Sequence, residues 1–197
     1  MMSAIKIGSL DVVIDVYSKK DTIRGLGICG YGLVKGDVKG VNVCGLGGVV
    51  GGDVKGVNVG GFGSEVKGDV KGVNVYGLAG VVGGDVKGVN AGLGSYVEGD
   101  VNGVNAGLGG VVEGDVNGVN VGGLGGVVGG DVNGISAGAI NIILNELYGF
   151  QFGIVNYTKD GTFLQVGALN FKGSGPWYKR FSPIVRTNKK NSVGKKE

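Results

Sequence analysis

The chain of 197 residues contains no histidine, two cysteines, two prolines and one tryptophan. Without histidine the commonest general base is missing, and Ser/His/Asp and Cys/His nucleophile systems are excluded. A zinc site would need ligands other than the Cys and His sets that usually build one. Threonine is also scarce, at Thr22, Thr158, Thr162 and Thr187, so the regular Thr rows of an ice-binding face are missing. The longest uncharged span, Val116 to Gly130, is glycine-rich and falls short of the ~18 to 20 residues a membrane-crossing helix needs. The opening MMSAIKIGSLDVVIDVYS has one early Lys, two Asp and no apolar stretch of secretory type, so no signal peptide is expected.

Glycine and valine dominate what is present. The motif GDVKGVNV begins at Gly36, Gly52 and Gly68, with weaker copies at Gly84, Gly99, Gly114 and Gly130. Spacings of about 16 residues, slipping to about 15, mark a repeat architecture in which each unit is stabilised mainly by its neighbours. One column reads Asn42, Asn58, Asn74, Asn90, Asn105 and Asn120, and continues as Ser136, Gln151 and Gln165, while Gly27 holds the same place upstream. About ten units therefore run from about residue 21 to about residue 170. Comparing VNVGGLGG with VNAGLGG puts the tolerance for deletion in the Gly corner that follows the Asn.

The 47 glycines exclude a helical unit, since each costs about 1 kcal/mol relative to Ala and most remaining residues are β-branched. The units are strands joined by Gly corners. Three apolar columns are expected to point inward: one Val column from Val38 to Val132, a second from Val50 to Val128, and a Leu/Phe column of Leu46, Phe62, Leu78, Leu93, Leu108 and Leu124. Flanking sites such as Glu65, Lys67, Tyr96 and Glu98 vary freely, as outward positions of period two do. Two architectures fit. In a parallel β-solenoid, about ten coils of 14–16 residues stack ~4.8 Å apart into a rod of about 48 Å. In an antiparallel meander or barrel, GlyGly and GlyAsp would be hairpin turns. A fixed Asn column favours the solenoid, because stacked amides can hydrogen-bond from coil to coil.

A solenoid needs caps over its terminal sheet edges. Residues 1–20 supply a strand-rich N-terminal cap, 21–170 the repeats, and 171–185 a C-terminal cap rich in Trp177, Tyr178 and Phe181, with those aromatics closing the last coil. Residues 186–197 form a basic tail expected to be disordered. GFQFGIVN (Gly149 to Asn156), LQVGALN (Leu164 to Asn170) and the closing PWYKRFSPIV resemble uncharacterised bacterial surface-repeat proteins built from GxQIGLxN motifs, and GVNAGLGG follows the same pattern with Gly for the final Asn. The resemblance covers about residues 36 to 185. It implies a repeat β protein, often exported, with no assigned activity. With no leader expected, the cytoplasm is the default expectation, with the cell surface the alternative the resemblance implies.

Charge is unevenly placed: the repeats from Gly36 to Ala137 are net acidic, whereas Lys179 to Glu197 is strongly basic. A basic end can engage nucleic acid or an anionic membrane, but no aromatic is interleaved with these charges, and no specific nucleic-acid partner is expected. The column Asp37, Asp53, Asp69, Asp85, Asp100, Asp115 and Asp131 raises calcium, yet GGxGxD repeats of nine residues are a poor match, and Lys39, Lys55, Lys71 and Lys87 run beside the Asp row. No cofactor is expected. Cys29 and Cys44 share one column of adjacent coils. They either bridge in an oxidising compartment or pack as two small apolar residues. Carboxylates occur only as repeated surface columns, so an enzyme is not expected. The expected role is structural or interaction-mediating, by self-association or a protein partner, over an outward strip of Val49, Glu65, Val81, Tyr96 and Val111. The alternative is a membrane-associated or pore-forming β protein, although six-residue strands are shorter than the ~9 to 11 of a membrane barrel.

Overall fold

The computed structural model describes the backbone over residues 3–7 and 10–190, and side chains from Asp21 onward. Two N-terminal strands, β1 (Ser3–Ile7) and β2 (Leu10–Lys20), lead into β3 (Ile23–Val34) and β4 (Val38–Val50). The next three coils each break at one corner, giving β5 (Val54–Gly60), β6 (Gly63–Val66), β7 (Val70–Tyr76), β8 (Ala79–Val82), β9 (Val86–Ala91) and β10 (Gly94–Val97). Continuous strands then return as β11 (Val101–Val112), β12 (Val116–Val128), β13 (Val132–Phe152) and β14 (Val155–Lys172), closed by β15 (Phe181–Asn188).

From β2 to β14 every pairing is parallel and joins equivalent residues of successive repeats, as in Val38↔Val54, Asn42↔Asn58 and Val86↔Val101. The chain is a parallel β-solenoid of about nine turns, and the antiparallel meander is excluded within the stack. Antiparallel pairing is confined to its ends, where β1 runs against β2 and β15 against β14. Each coil is flattened into two sheet faces. In the unit 38–53, Val38 to Cys44 forms the broad face, a Gly corner turns the chain, Gly47 to Val50 forms the narrow face, and the Asp corner returns it.

The cross-section is a wedge. At the Asp corner the two Val columns meet and are fully buried, from Val38 to Val132 and from Val50 to Val128. At about 1.5–3 kcal/mol for each buried side chain, they dominate the apolar contribution. The interior narrows past the Asn column until, at the Gly corner, the faces nearly touch. A Cβ on Gly60 would lie 2.2 Å from the Gly63 carbonyl oxygen across the coil. That closeness ejects the Leu/Phe column, which the sequence pattern placed inside. Leu46, Phe62, Leu78, Leu93, Leu108 and Leu124 are 46–70% exposed and line the outer corner as a ridge.

Close stacking also explains one glycine column. Gly40, Gly56, Gly72, Gly88, Gly103, Gly118 and Gly134 all have φ between +139° and +144°, a region that L side chains avoid. A Cβ on Gly72 would meet the Gly56 carbonyl oxygen at 2.1 Å. Length variation is absorbed at corners. Register shifts fall between Cys29 and Tyr31, Gly107 and Gly109, and Gly122 and Gly125, all in the corner after the Asn column. The shift between Ile143 and Glu146 uses the opposite, Asp corner.

The C-terminal end departs from expectation in two ways. Trp177 and Tyr178 do not close the last coil, being 82% and 64% exposed, whereas Phe181 packs on Phe171 of β14 with ring centroids 5.4 Å apart. A polar cluster also ties β15 to β14. Lys172 pairs with Asp160 at 2.8 Å and donates to Asn188 at 3.0 Å, Ser174 donates to Asp160 at 3.0 Å, and the Asn188 amide donates to Asp160 at 3.1 Å. Burial raises the Asp160 pKa, but Lys172, the Gly161 N–H and Ser174 together hold it below the usual value. Through Asn188, β15 thus carries ordered structure three residues into the segment expected to be disordered, while residues 191–197 lie outside the described residues.

Candidate functional site

The Asn column, met in sequence as one conserved-looking letter per repeat, is a buried amide ladder. Asn42 donates to Asn58 at 2.8 Å, and the chain continues through Asn74, Asn90, Asn105 and Asn120 with bonds of 3.0 Å. Each residue is at most 2% exposed. Amides suit the position because each both donates and accepts along the stack. Tyr76, the register neighbour of Gly60, sets its ring against Gly80 and Gly92, and its hydroxyl accepts from Asn90 at 2.9 Å. Burial raises the Tyr76 pKa. Where Ser136 replaces Asn, the Asn120 amide nitrogen has no protein partner.

Placing Asn inside has a direct consequence for its neighbours. With side chains alternating along a strand, the valines on either side of each Asn must face out. The broad face therefore presents two aliphatic rows. One is Leu26, Val41, Val57, Val73, Val89, Val104, Val119 and Ile135, and the second starts at Ile28 and Val43 and ends at Val121 and Ala137. Their members are half-buried to exposed, with Val41, Val75 and Ile135 each at 37% and Ile28 at 40%. The Leu/Phe ridge borders them on one side. On the other runs the exposed row Lys39, Lys55, Lys71 and Lys87, continued by Asn102, Asn117 and Asn133. Sequence reasoning missed these valines. The signal was present in VNV, whose centre is polar and buried.

The strip expected to meet partners lies on the opposite, narrow face. Val49, Glu65, Val81, Tyr96 and Val111 are direct register neighbours in one row. Glu65, Val81 and Val111 are exposed, while Val49 and Tyr96 are half-buried. Tyr96 donates to the Glu113 carboxylate, and that bond pushes its phenol up to about 12. This face is narrower and chemically mixed.

The Asp column sits at the thick corner. From Asp37 to Asp115 each carboxylate accepts the backbone N–H of the next Asp, from Asp53 onto Asp37 at 3.1 Å to Asp131 onto Asp115 at 2.7 Å, and Asp131 accepts from the Glu146 N–H at 2.9 Å. The Asp53 N–H is the main cause of the lowered Asp37 pKa, with Lys39 at 3.5 Å assisting. These are bonds that build the corner. Among the described residues no group of three or more His, Cys, Asp or Glu is gathered as a metal site. Cys29 and Cys44 are register neighbours with Cα atoms 4.5 Å apart, and they form a disulfide between adjacent coils. No helix among the described residues is long and apolar enough to cross a membrane. No family model, curated protein or solved structure matches the chain.

Proposed function

We propose that the chain is a non-enzymatic repeat scaffold whose function is association through its broad outer face. A β-solenoid of this kind fits a structural scaffold. The observation that carries the finer reading is the pair of aliphatic rows flanking the amide ladder, which leaves a flat apolar strip in contact with solvent along eight successive rungs. Contiguous exposed apolar strips of this extent mark association surfaces. The resemblance to bacterial surface-repeat proteins is in keeping with a structural role.

The test is the size of the native species. Extracts of the source cells are fractionated by size and this chain is followed with an antibody. Elution well above the 19.7 kDa of the chain, collapsing to monomer in a strain carrying V57K and V89K, supports the reading. A monomer in the native extract that neither variant alters overturns it. The second reading, adhesion of the same strip to lipid, is favoured by the Lys row bordering the valines. Co-flotation with anionic vesicles, lost in the same variants, would select it.

A further inference from the structure

Charge is graded along the rod in a way that the apolar strip alone does not explain. Residues 88–145 contain no Lys or Arg and carry Glu98, Asp100, Glu113, Asp115 and Asp131. The coils before them hold Arg24, Lys35, Lys39, Lys55, Lys67, Lys71 and Lys87 against a smaller number of acids. On the broad face the gradient is sharp, because the exposed Lys row becomes an Asn row after Lys87 while the neighbouring Asp row continues unchanged.

Resting on the association reading, we propose that the occupant of the broad face is a second copy of this chain, packed face to face with the two rods antiparallel. A two-fold axis running along the strand direction through the coil of Lys87 meets all the constraints together. It reverses the rod, so Lys39, Lys55 and Lys71 lie over Asn133, Asn117 and Asn102 of the second copy, beside its uncompensated Asp115 and Asp131. It keeps position along the strand, so valine rows meet valine rows and the Leu/Phe ridges run side by side. A parallel pair, related by an axis along the rod, keeps every rung level with its own equivalent, so the Lys-bearing half faces the Lys-bearing half and no Lys row meets the acidic half.

Dimensions agree. The seven rungs from Val41 to Ile135 overlap about that axis; at ~4.8 Å each and a strip about 15 Å wide they give roughly 500 Å² for each copy, or about 1,000 Å² in all, the least area that a specific interface needs. End-to-end growth is disfavoured by the last strand, in which Pro183 offers no N–H and Ile184 adopts φ 69°, devices that blunt a sheet edge.

The experiment is sedimentation of the purified full-length chain with a charge-swap series. The expected results are a dimer for the parent protein, at least tenfold weaker dimerisation for K39E/K55E/K71E, and restoration when N102K/N117K/N133K is added in the same chain. V89K, at the centre where the two copies' Val89 residues meet, should be monomeric with an unchanged β-type circular dichroism spectrum. In a parallel pair the triple Lys→Glu change exchanges one like-charge repulsion for another, so an unweakened dimer, or one not restored by the second set, overturns the proposal. A purified monomer alongside a large native species sensitive to V57K and V89K overturns the second copy as occupant and leaves the association reading standing. A monomer in both settings removes both.

Discussion

The coils from Val38 to Val128 and those from Val132 to Lys172 solve the same interior problem with different residues. The first group is nearly identical from unit to unit and runs one amide ladder beside a column of small residues such as Gly48, Ser64, Gly80 and Ser95. The second group has diverged. Gln151 and Gln165 take the Asn place, with Gln165 donating to Gln151 at 2.7 Å, and the small-residue column becomes a second ladder, Asn141 to Asn156 at 3.0 Å and Asn156 to Asn170 at 2.8 Å. The stack keeps its backbones close and its buried amides paired within each ladder, with one break at Ser136, and sequence identity between units is secondary.

The comparison is broken most severely at its glycines. Gly72→Ala forces a Cβ to 2.1 Å from the Gly56 oxygen at φ +140°, and a loss of more than about 3 kcal/mol is expected, read as a collapsed thermal transition by circular dichroism. The corresponding site in the last coil holds Phe163, which pairs with Gly149, so Phe163→Ala should cost a cavity and leave the backbone intact. Next is the middle of the first ladder. Asn74→Ala removes an acceptor of Asn58 and Ser64 and the donor to Asn90, and urea denaturation should show a loss of about 2–4 kcal/mol from three buried bonds and a bare carbonyl. Asn170→Ala, at the end of the second ladder, should cost about half as much.

The junction between the regions offers a gain. Ser136→Asn would give the unpartnered Asn120 amide an acceptor and join the first ladder toward Gln151, raising stability by about 1 kcal/mol in the same denaturation assay. The smallest effect is at the C-terminal closure. Because the Asp160 pKa is lowered in the fold, its contribution is fully present above the ordinary carboxylate pKa and fades as pH falls through the folded value. Amide exchange should show β15 loosening below about pH 4, with less pH dependence in Lys172→Met.

Much of the fold was legible because parallel stacking writes each column as a periodic letter: the Val columns, the Asn column and the slack after the Asn all follow from counting. Direction at the Gly corner was not legible. A leucine flanked by glycines is ordinarily read as core, and only the closeness of the corner, where even a Cβ on Gly60 would lie 2.2 Å from the Gly63 oxygen, shows that no inside remains for it. The broad apolar strip went unread because the valines of VNV were given no direction, and only the burial of the Asn between them turns them outward. Trp177 and Tyr178 looked like a plug by size alone, whereas Asp160, Lys172 and Asn188, far apart in the chain, gave no local sign of converging.

Corners that absorb length have an evolutionary consequence. Units of unequal length enter the same register because the surplus or deficit is discharged at a turn before the next strand begins. Copying one whole unit would therefore add one layer, about 4.8 Å, without disturbing any residue downstream. Rod length becomes a countable, heritable quantity, adjustable by slippage between near-identical stretches of the gene, and the near-identity of the Val38–Val128 units is the raw material for that adjustment.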